Sequence, residues 1–341
     1  MIDLRSDTVT KPSEGMREAM RIASVGDELF GEDPTTHLLE ETMSALFGKD
    51  AALFVSSGTM GNQLAIATQT RPGDEVIVGE GAHVGWYESG ASAALSGVQF
   101  ESIGTGGLFT VADVENAIKP IAFYCPRTSL VCVENTHNRG GGKIWNQAVI
   151  ESIAFVAHDH GLKFHLDGAR IWNAHVATGI SLERLVAPFD TVSVCFSKGL
   201  GAPVGSMLLG SVKTIEEARR FRKMWGGAMR QTGMLAAAAI YAMDRHLADL
   251  KIDHEHASEL ARTLATMEGG LVHRCETNIV LFDVPAPAVN VVAGLEARGI
   301  RTTAFDPNRV RLVTHRDLSS DEIERACEVF ADSQSLFLGR T

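Results

Sequence analysis

The sequence is short of cysteine, of positive charge and of long apolar runs. Its five cysteines, Cys125, Cys132, Cys195, Cys275 and Cys327, are scattered over 341 residues. They form no close pair and no metal-type spacing, which points to reduced thiols in a cytoplasmic protein rather than to a disulfide framework. With 31 Lys and Arg against 42 Asp and Glu, the formal net charge is −11. That balance argues against a general role in coating nucleic acid or an anionic membrane, although it leaves room for a local basic pocket. The longest uninterrupted apolar run, Met234 to Met243, is about half the length of a membrane-spanning helix. Met1-Ile2-Asp3-Leu4-Arg5 carries no charged-then-apolar secretion pattern. No G-x-G-x-x-G follows a strand and opens a helix, so a dinucleotide site has little support. Internal repeats, low-complexity tracts and long linkers are also missing.

What is present is an alternation of short apolar runs with helical patterns. The runs Glu75–Val78, Leu130–Val133, Lys163–Leu166, Thr191–Phe196 and Ser206–Leu209 read as strands, and Ala148–His158 as an amphipathic helix between two of them. Such alternation predicts an α/β domain with a mostly parallel, helix-covered sheet, whose chemistry lies at the carboxyl ends of the strands. Helical periodicity dominates from Thr214 to about Glu268. Strand patterns return at Asn278–Val284 and Val310–Thr314, around a helix near Val289–Arg298, and Ser319-Ser320-Asp321-Glu322 opens a last helix that runs to about Ser333. The expected division is a large domain over 1–245, with the N-terminal segment, and a small C-terminal α+β domain over 246–341. With apolar residues at 45%, the chain can bury cores for both.

Four segments carry candidate chemistry. In Ser193-Val194-Cys195-Phe196-Ser197-Lys198-Gly199 a strand ends at a lysine flanked by small residues. Desolvation at such a strand end lowers an amine's pKa and makes it a usable nucleophile for an aldehyde; the alternative is a solvated turn lysine. In His165-Leu166-Asp167-Gly168-Ala169-Arg170 another strand ends in an acid, which can pair with a protonated pyridine nitrogen and keep that ring an electron acceptor. In Val55-Ser56-Ser57-Gly58-Thr59 a strand meets a small-residue turn and a helix start, suited to phosphate or to ordinary capping by Ser57 or Thr59. It lacks the glycine spacing and lysine of a Walker loop. His83 follows a strand, where a flat imidazole can stack on a ring and relay a proton or be structural. Two basic groups come later: Arg219 to Lys223, with Gly226-Gly227 and Arg230 behind them, and the pair Arg309 and Arg311 on one face of a strand. An arginine there can grip a carboxylate through two parallel bonds or form a surface salt bridge.

Taken together, these segments resemble the threonine aldolase family of pyridoxal-phosphate enzymes, of the aspartate-aminotransferase fold type I with its seven-stranded type of sheet. The resemblance spans nearly the whole chain. It rests on Ile2-Asp3-Leu4-Arg5-Ser6-Asp7-Thr8-Val9-Thr10, Gly31-Glu32-Asp33-Pro34, Glu134-Asn135-Thr136-His137-Asn138, His165 to Arg170, Phe196-Ser197-Lys198-Gly199-Leu200, and Gly226 to Gln231. It implies that Lys198 holds pyridoxal 5'-phosphate as a Schiff base, that Asp167 pairs with the pyridine nitrogen and that His83 stacks on the ring. Ser57, Gly58 and Thr59 would bind the phosphate, with Lys223 and Arg230 joining from a neighbouring subunit. Arg170 would lie near the phenolic oxygen and the substrate carboxylate, which Ser6 and Arg311 would also bind. A homotetramer, a dimer of dimers with shared active sites, is implied as well. The sequence departs from the family pattern at Tyr124, where members often carry a histidine expected to touch the substrate hydroxyl. A tyrosine, with a reference pKa of about 10, is a poor base there.

The implied reaction is cleavage of an L-β-hydroxy-α-amino acid, L-threonine or L-allo-threonine first among them, to glycine and an aldehyde. His83, directly or through a water, is the first candidate for the base and Glu88 the second. The rivals are another pyridoxal-phosphate reaction (β-elimination, racemisation or transamination), a module that binds the cofactor without turnover, and a nicotinamide-dependent oxidoreductase. No spacing marks a dedicated metal site. Asp3, Asp7, Thr8 and Thr10 are better read as capping and turn residues than as ion ligands.

Overall fold

Short runs of valine, leucine and isoleucine, buried along nearly their whole length, build the central sheet of this computed structural model, which describes residues 1–339. After a two-residue strand, β1 (Ile2–Asp3), the chain forms β2 (Ala51–Val55), β3 (Glu75–Gly79), β4 (Gln99–Ile103), β5 (Thr128–Glu134), β6 (Lys163–Gly168), β7 (Thr191–Cys195) and β8 (Ser206–Gly210). These seven make one sheet in the order β2-β8-β7-β6-β5-β3-β4. Strands β7, β6, β5, β3 and β4 are parallel, and β8 alone runs antiparallel to its neighbours β7 and β2. Strands buried on both faces require helices on both faces, and the helices between strands supply them. The apolar runs therefore mark the sheet well. β4 escapes that reading because Gln99-Phe100-Glu101-Ser102-Ile103 is a half-exposed edge strand with little apolar pattern.

The long helical stretch resolves into three helices, Val212–Met224, Gly233–His246 and Leu250–Leu264. The first ends before Gly226, whose φ of 78° suits a glycine. Beyond them lies an antiparallel sheet of β9 (Leu271–Val272), β10 (Ile279–Asp283), β12 (Thr303–Asp306) and β13 (Arg309–Val313), in the order β12-β13-β10-β9. The helix Ser320–Ala331 starts with a reciprocal capping box between Ser319 and Glu322. This part has its own core, with Leu260, Val280, Phe282, Leu312, Ile323 and Phe330 among its members.

Ile2 and Leu4 pack into that second core, and β1 pairs in parallel with β11 (Ile300–Arg301). The N-terminus is thus clipped to the C-terminal region. The next residues, Ser6 to Thr10, are carried across to the carboxyl ends of the large sheet, where the Thr10 hydroxyl donates to the Lys198 carbonyl at 3.1 Å.

Candidate active site

The carboxyl ends of the parallel strands converge on one cleft, and four of them, β3, β5, β6 and β7, contribute a side chain. β3 leads to His83, β5 ends at Glu134, β6 carries Asp167 and leads to Arg170, and β7 leads to Lys198. A cavity of about 510 Å³ is lined by His83, Arg170 and Lys198 from the large sheet, by Ser6 from the N-terminal segment and by Arg311 from β13. Residues from both ends of the chain therefore meet here. Trp86, Tyr87, Arg139 and Phe305 line it as well, with the Arg139 guanidinium 4.5 Å from the Trp86 ring centre and 4.9 Å from that of Phe305.

Lys198 leaves the end of β7 and places its amine 3.3 Å from the Cys195 thiol. A Cβ on Gly58 would lie only 2.7 Å from that same sulfur, so the helix Gly58–Gln69 starts right beside the lysine. Ser57 caps this helix by accepting from the Met60 amide. The amides of Gly58 and Thr59 find no acceptor among the described residues, which leaves an anion-binding helix start next to the Lys198 amine. One turn on, a Cβ on Gly61 would meet Ser193 Oγ at 2.4 Å. Glycine there lets the helix lie close on the sheet, and the next residue, Asn62, reaches Asp167 Oδ2 at 2.8 Å. Asp167 is buried, and its Oδ1 accepts from the Ala169 amide.

His83 donates its backbone N–H to Glu134 Oε2 at 2.7 Å, and its Nδ1 lies 2.9 Å from Glu88 Oε1. Glu88 is 3% exposed, and its second oxygen accepts from Gln63. It stands behind the imidazole instead of lining the cavity, so its contact with the cavity runs through His83. His83, Glu88 and Asp167 place side-chain atoms within 4.8 Å of one another. Burial works against a charged imidazole, but the Glu88 hydrogen bond and the charges of Asp167, Glu88 and Glu134 outweigh it and raise the His83 pKa above the ordinary histidine value.

Two arginines, Arg170 buried and Arg311 half-buried, face the cavity in different electrical states. Arg170 is held by Asp7 through two bonds of 2.7 Å. Arg311 donates only to the Asn138 side-chain oxygen and the Arg5 carbonyl, its Nε has no partner, and among the described residues no carboxylate pairs with it. Burial and the nearby Arg170 charge push it down to about 10. It remains a cation at neutral pH, in a place that favours an incoming carboxylate. Arg309, on the same strand, pairs instead with Asp283. Asp7, read from the sequence as a turn residue, does open the short helix that Ser6 caps, but its main partner is Arg170.

Under the lysine lies a group that the sequence did not single out. Asp253 is 1% exposed, its Oδ2 has no partner, and it sits against Gly199. Burial and the Asp7 charge push its carboxyl up to about 8. Because its folded pKa exceeds the unfolded one, the folded state holds the extra proton, and stability falls as pH rises from about 4 to about 8. Asp253→Asn is expected to match the wild type in thermal melts at pH 4 and to exceed it by ~2 kcal/mol at pH 8. An equal or lower melting temperature at pH 8 would contradict this.

Three of the expected site residues lie on exposed surface away from the cleft. Tyr124 is 77% exposed, on the loop that precedes β5 at the amino ends of the parallel strands, opposite the cleft. Lys223 ends an exposed helical turn, and Arg230 pairs with Asp27 at the surface. Neither sequence pattern nor resemblance had pointed to Asp7 as the Arg170 partner, or to Asn62, Glu134 and Asn138 as supports. The only available signal for Asn62 was a polar residue on the sheet-facing side of a helix.

The fold and site define a pyridoxal-phosphate enzyme of the aspartate-aminotransferase fold type. The residues suit that cofactor: an amine at a strand end, a helix start beside it whose first amides have no acceptor among the described residues, and a buried acid bonded to Asn62 one turn into that helix. A model of the family described as Beta-eliminating lyase matches residues 3–287. The chain is 41% identical over 341 residues to low-specificity L-threonine aldolase 1 of Arabidopsis thaliana, covering 96% of this chain and 95% of that protein. It is 41% identical over 326 residues to the low specificity L-threonine aldolase of Escherichia coli strain K12, covering 95% and 96%. A solved Leishmania major threonine aldolase aligns with a TM-score of 0.85 at 21% identity, over 97% of this chain and 99% of that one. Serine palmitoyltransferase of Sphingomonas wittichii aligns at 0.78 with 18% identity, over 98% and 88%. The chain belongs to the β-eliminating lyase family and, within it, to the threonine aldolases.

Proposed function

We propose that this cavity cleaves L-threonine, L-allo-threonine and other L-β-hydroxy-α-amino acids between Cα and Cβ, giving glycine and an aldehyde. The observation that carries this reading is the half-buried Arg311 cation, paired with no carboxylate among the described residues, in one cavity with Lys198 and His83. Such a group selects a small carboxylate-bearing substrate and fixes it relative to the amine.

Lys198 would hold pyridoxal 5'-phosphate, Asp167 would face its pyridine nitrogen, His83 its ring, and Ser57, Gly58 and Thr59 its phosphate. When bound, the cofactor supplies an electron sink for the bond that breaks. Arg311, with Ser6 and Arg170, holds the carboxylate and so orients the Cα–Cβ bond. His83 takes the hydroxyl proton, and Glu88 stabilises the imidazolium that results. Because the base must start neutral, activity falls as pH drops through the His83 pKa, which lies above the usual histidine range. His83→Phe is expected to retain the cofactor while kcat falls by roughly 10²- to 10⁴-fold. Loss of cofactor with kcat per bound cofactor unchanged would remove His83 from the proton transfer.

The exposed residues that miss the cavity belong to the same reading. Ile121 and Phe123 beside Tyr124 are fully exposed, and Met224 next to Lys223 is 64% exposed, a pattern that suits burial by other copies of the chain. Lys223 and Arg230 would complete a neighbouring phosphate site in a homotetramer built as a dimer of dimers, and Tyr124 would approach a neighbouring substrate. Five unpaired thiols suit a cytoplasmic setting. No described helix is long and apolar enough to cross a membrane.

The test is product identity with L-threonine and L-allo-threonine, assayed separately. Equal amounts of glycine and acetaldehyde support the proposal, and the ratio of the two rates reports the influence of Tyr124. Ammonia with a 2-oxo acid would move the function to elimination.

A further inference from the structure

We infer that His165 and Asn62 are positioning residues, forming a one-way hydrogen-bond chain that holds Asp167 and Glu88 as two aimed anions beside the cavity. The consequence for catalysis rests on the pyridoxal-phosphate reading above, whereas the direction of the chain does not.

The Asn62 amide nitrogen lies 2.8 Å from both Glu88 Oε1 and Asp167 Oδ2. Ionised carboxylates only accept hydrogen bonds, so the NH₂ side of Asn62 must face them. Its oxygen then faces the opposite way, 3.2 Å from His165 Nε2. An amide oxygen also only accepts, so Nε2 must carry the proton. His165 is fully buried, and burial, opposed only in part by the Asp167 charge, pushes it down to about 4. The ring is neutral at neutral pH, which leaves Nδ1 bare. Nδ1 accepts from the Thr191 hydroxyl at 2.8 Å, and that oxygen accepts from Gln69 Nε2 at 2.8 Å. Every link from Gln69 through Thr191, His165 and Asn62 to the two carboxylates points the same way. The longer approach of Nδ1 to the Thr191 carbonyl, 3.2 Å, would need the other tautomer. That tautomer would set a bare Nε2 against the Asn62 oxygen.

The fold gives each member its place. His165 and Asp167 are two residues apart on β6 and share a face. Thr191 is the register partner of His165 on β7, and the close approach at Gly61 brings Asn62 down onto that face. The chain ends on the acid that faces the ring nitrogen and on Glu88, which holds His83 Nδ1. One ring proton on His165 therefore fixes the amide orientation on which both depend. A reversed Asn62 would turn its oxygen toward two anions.

The first measurement is the His165 tautomer in the purified wild-type protein, from long-range ¹H–¹⁵N spectra assigned with His165→Gln. A neutral ring protonated at Nε2, unchanged from pH 8 to about 5.5, is expected. A ring protonated at Nδ1, or one that titrates in that range, overturns the inference. The second compares two variants. His165→Gln keeps an amide donor for Asn62 and is expected to retain the wild-type visible band and kcat within about threefold. His165→Leu is expected to keep cofactor content and KM while kcat falls on the order of 10- to 100-fold and the band shifts. Equal losses in both variants, tracking melting temperature without a band shift, would show a purely structural role and overturn the positioning claim. A wild type that carries no pyridoxal phosphate would instead defeat the proposed function, and the tautomer would still decide the direction of the chain.

Discussion

Lys198→Ala protein is expected to be colourless after pyridoxal-phosphate reconstitution and to release aldehyde only at the background rate. Among the described residues Lys198 is the one lysine lining the cavity, and its Nζ reaches no carboxylate there, only the Cys195 thiol. The chain offers no second amine there to take over. Proton transfer by His83 depends on a correctly held substrate, so losing the lysine removes both functions at once, and the effects do not add. The fold should survive, because the lysine makes no buried ion pair and the Thr10 hydroxyl binds its backbone carbonyl, which the substitution leaves in place. A near wild-type melting curve of the cofactor-free form with no activity is therefore the expected pattern. Retained aldehyde release would remove Lys198 from the chemistry.

The second large effect concerns the Asp7–Arg170 pair. Asp7 is fully buried and Arg170 is 6% exposed. Their two-point contact joins the N-terminal segment to the end of β6, and Asn278 adds a third bond to the same carboxylate at 3.2 Å. Asp7→Ala would leave a buried guanidinium without a counter-ion, a loss of ~3–5 kcal/mol. Several degrees of melting temperature should go with it, together with a raised KM for the amino acid, because Ser6 and Arg170 both face the cavity. Burial opposes ionisation of Asp7, but Arg170, Lys198 and Asn278 prevail and hold its carboxyl down to about 2. The folded pKa lies below the unfolded one. The stabilisation is thus present above the ordinary aspartate range and is lost as pH falls toward 2. Asp7→Asn should lack that acid-side slope. A melting temperature unchanged by Asp7→Ala would show that the pair contributes nothing net.

Much of this architecture was legible in the sequence because a parallel sheet buries both faces of its strands and writes them as uniform apolar runs. The segments that became β5 to β8 are of that kind, and β5, β6 and β7 are each followed by residues that form the cleft. β4 was not legible, since an edge strand with one wet face need not be apolar. The short pairing of β1 with β11 was not legible either, because two residues carry no period. In the site, strand-end position pointed to Lys198 and Asp167 and strand alternation to the pair Arg309 and Arg311, while resemblance added Ser6 and Arg170 and singled out Arg311 of the pair. The partners that hold them are different in kind. Asp7 meets Arg170 across 163 positions and Asn62 meets Asp167 across 105, and no local pattern reports such contacts. Tyr124, Lys223 and Arg230 lie on exposed surfaces of the single chain, so their proposed roles depend on a neighbouring copy.

The most direct test of the cofactor assignment is to reduce the reconstituted protein with borohydride in the absence of substrate and to map the modified peptide. One pyridoxyl group per chain, on Lys198, is the expected result. A label on any other lysine, or none in a protein that still cleaves threonine, would contradict it.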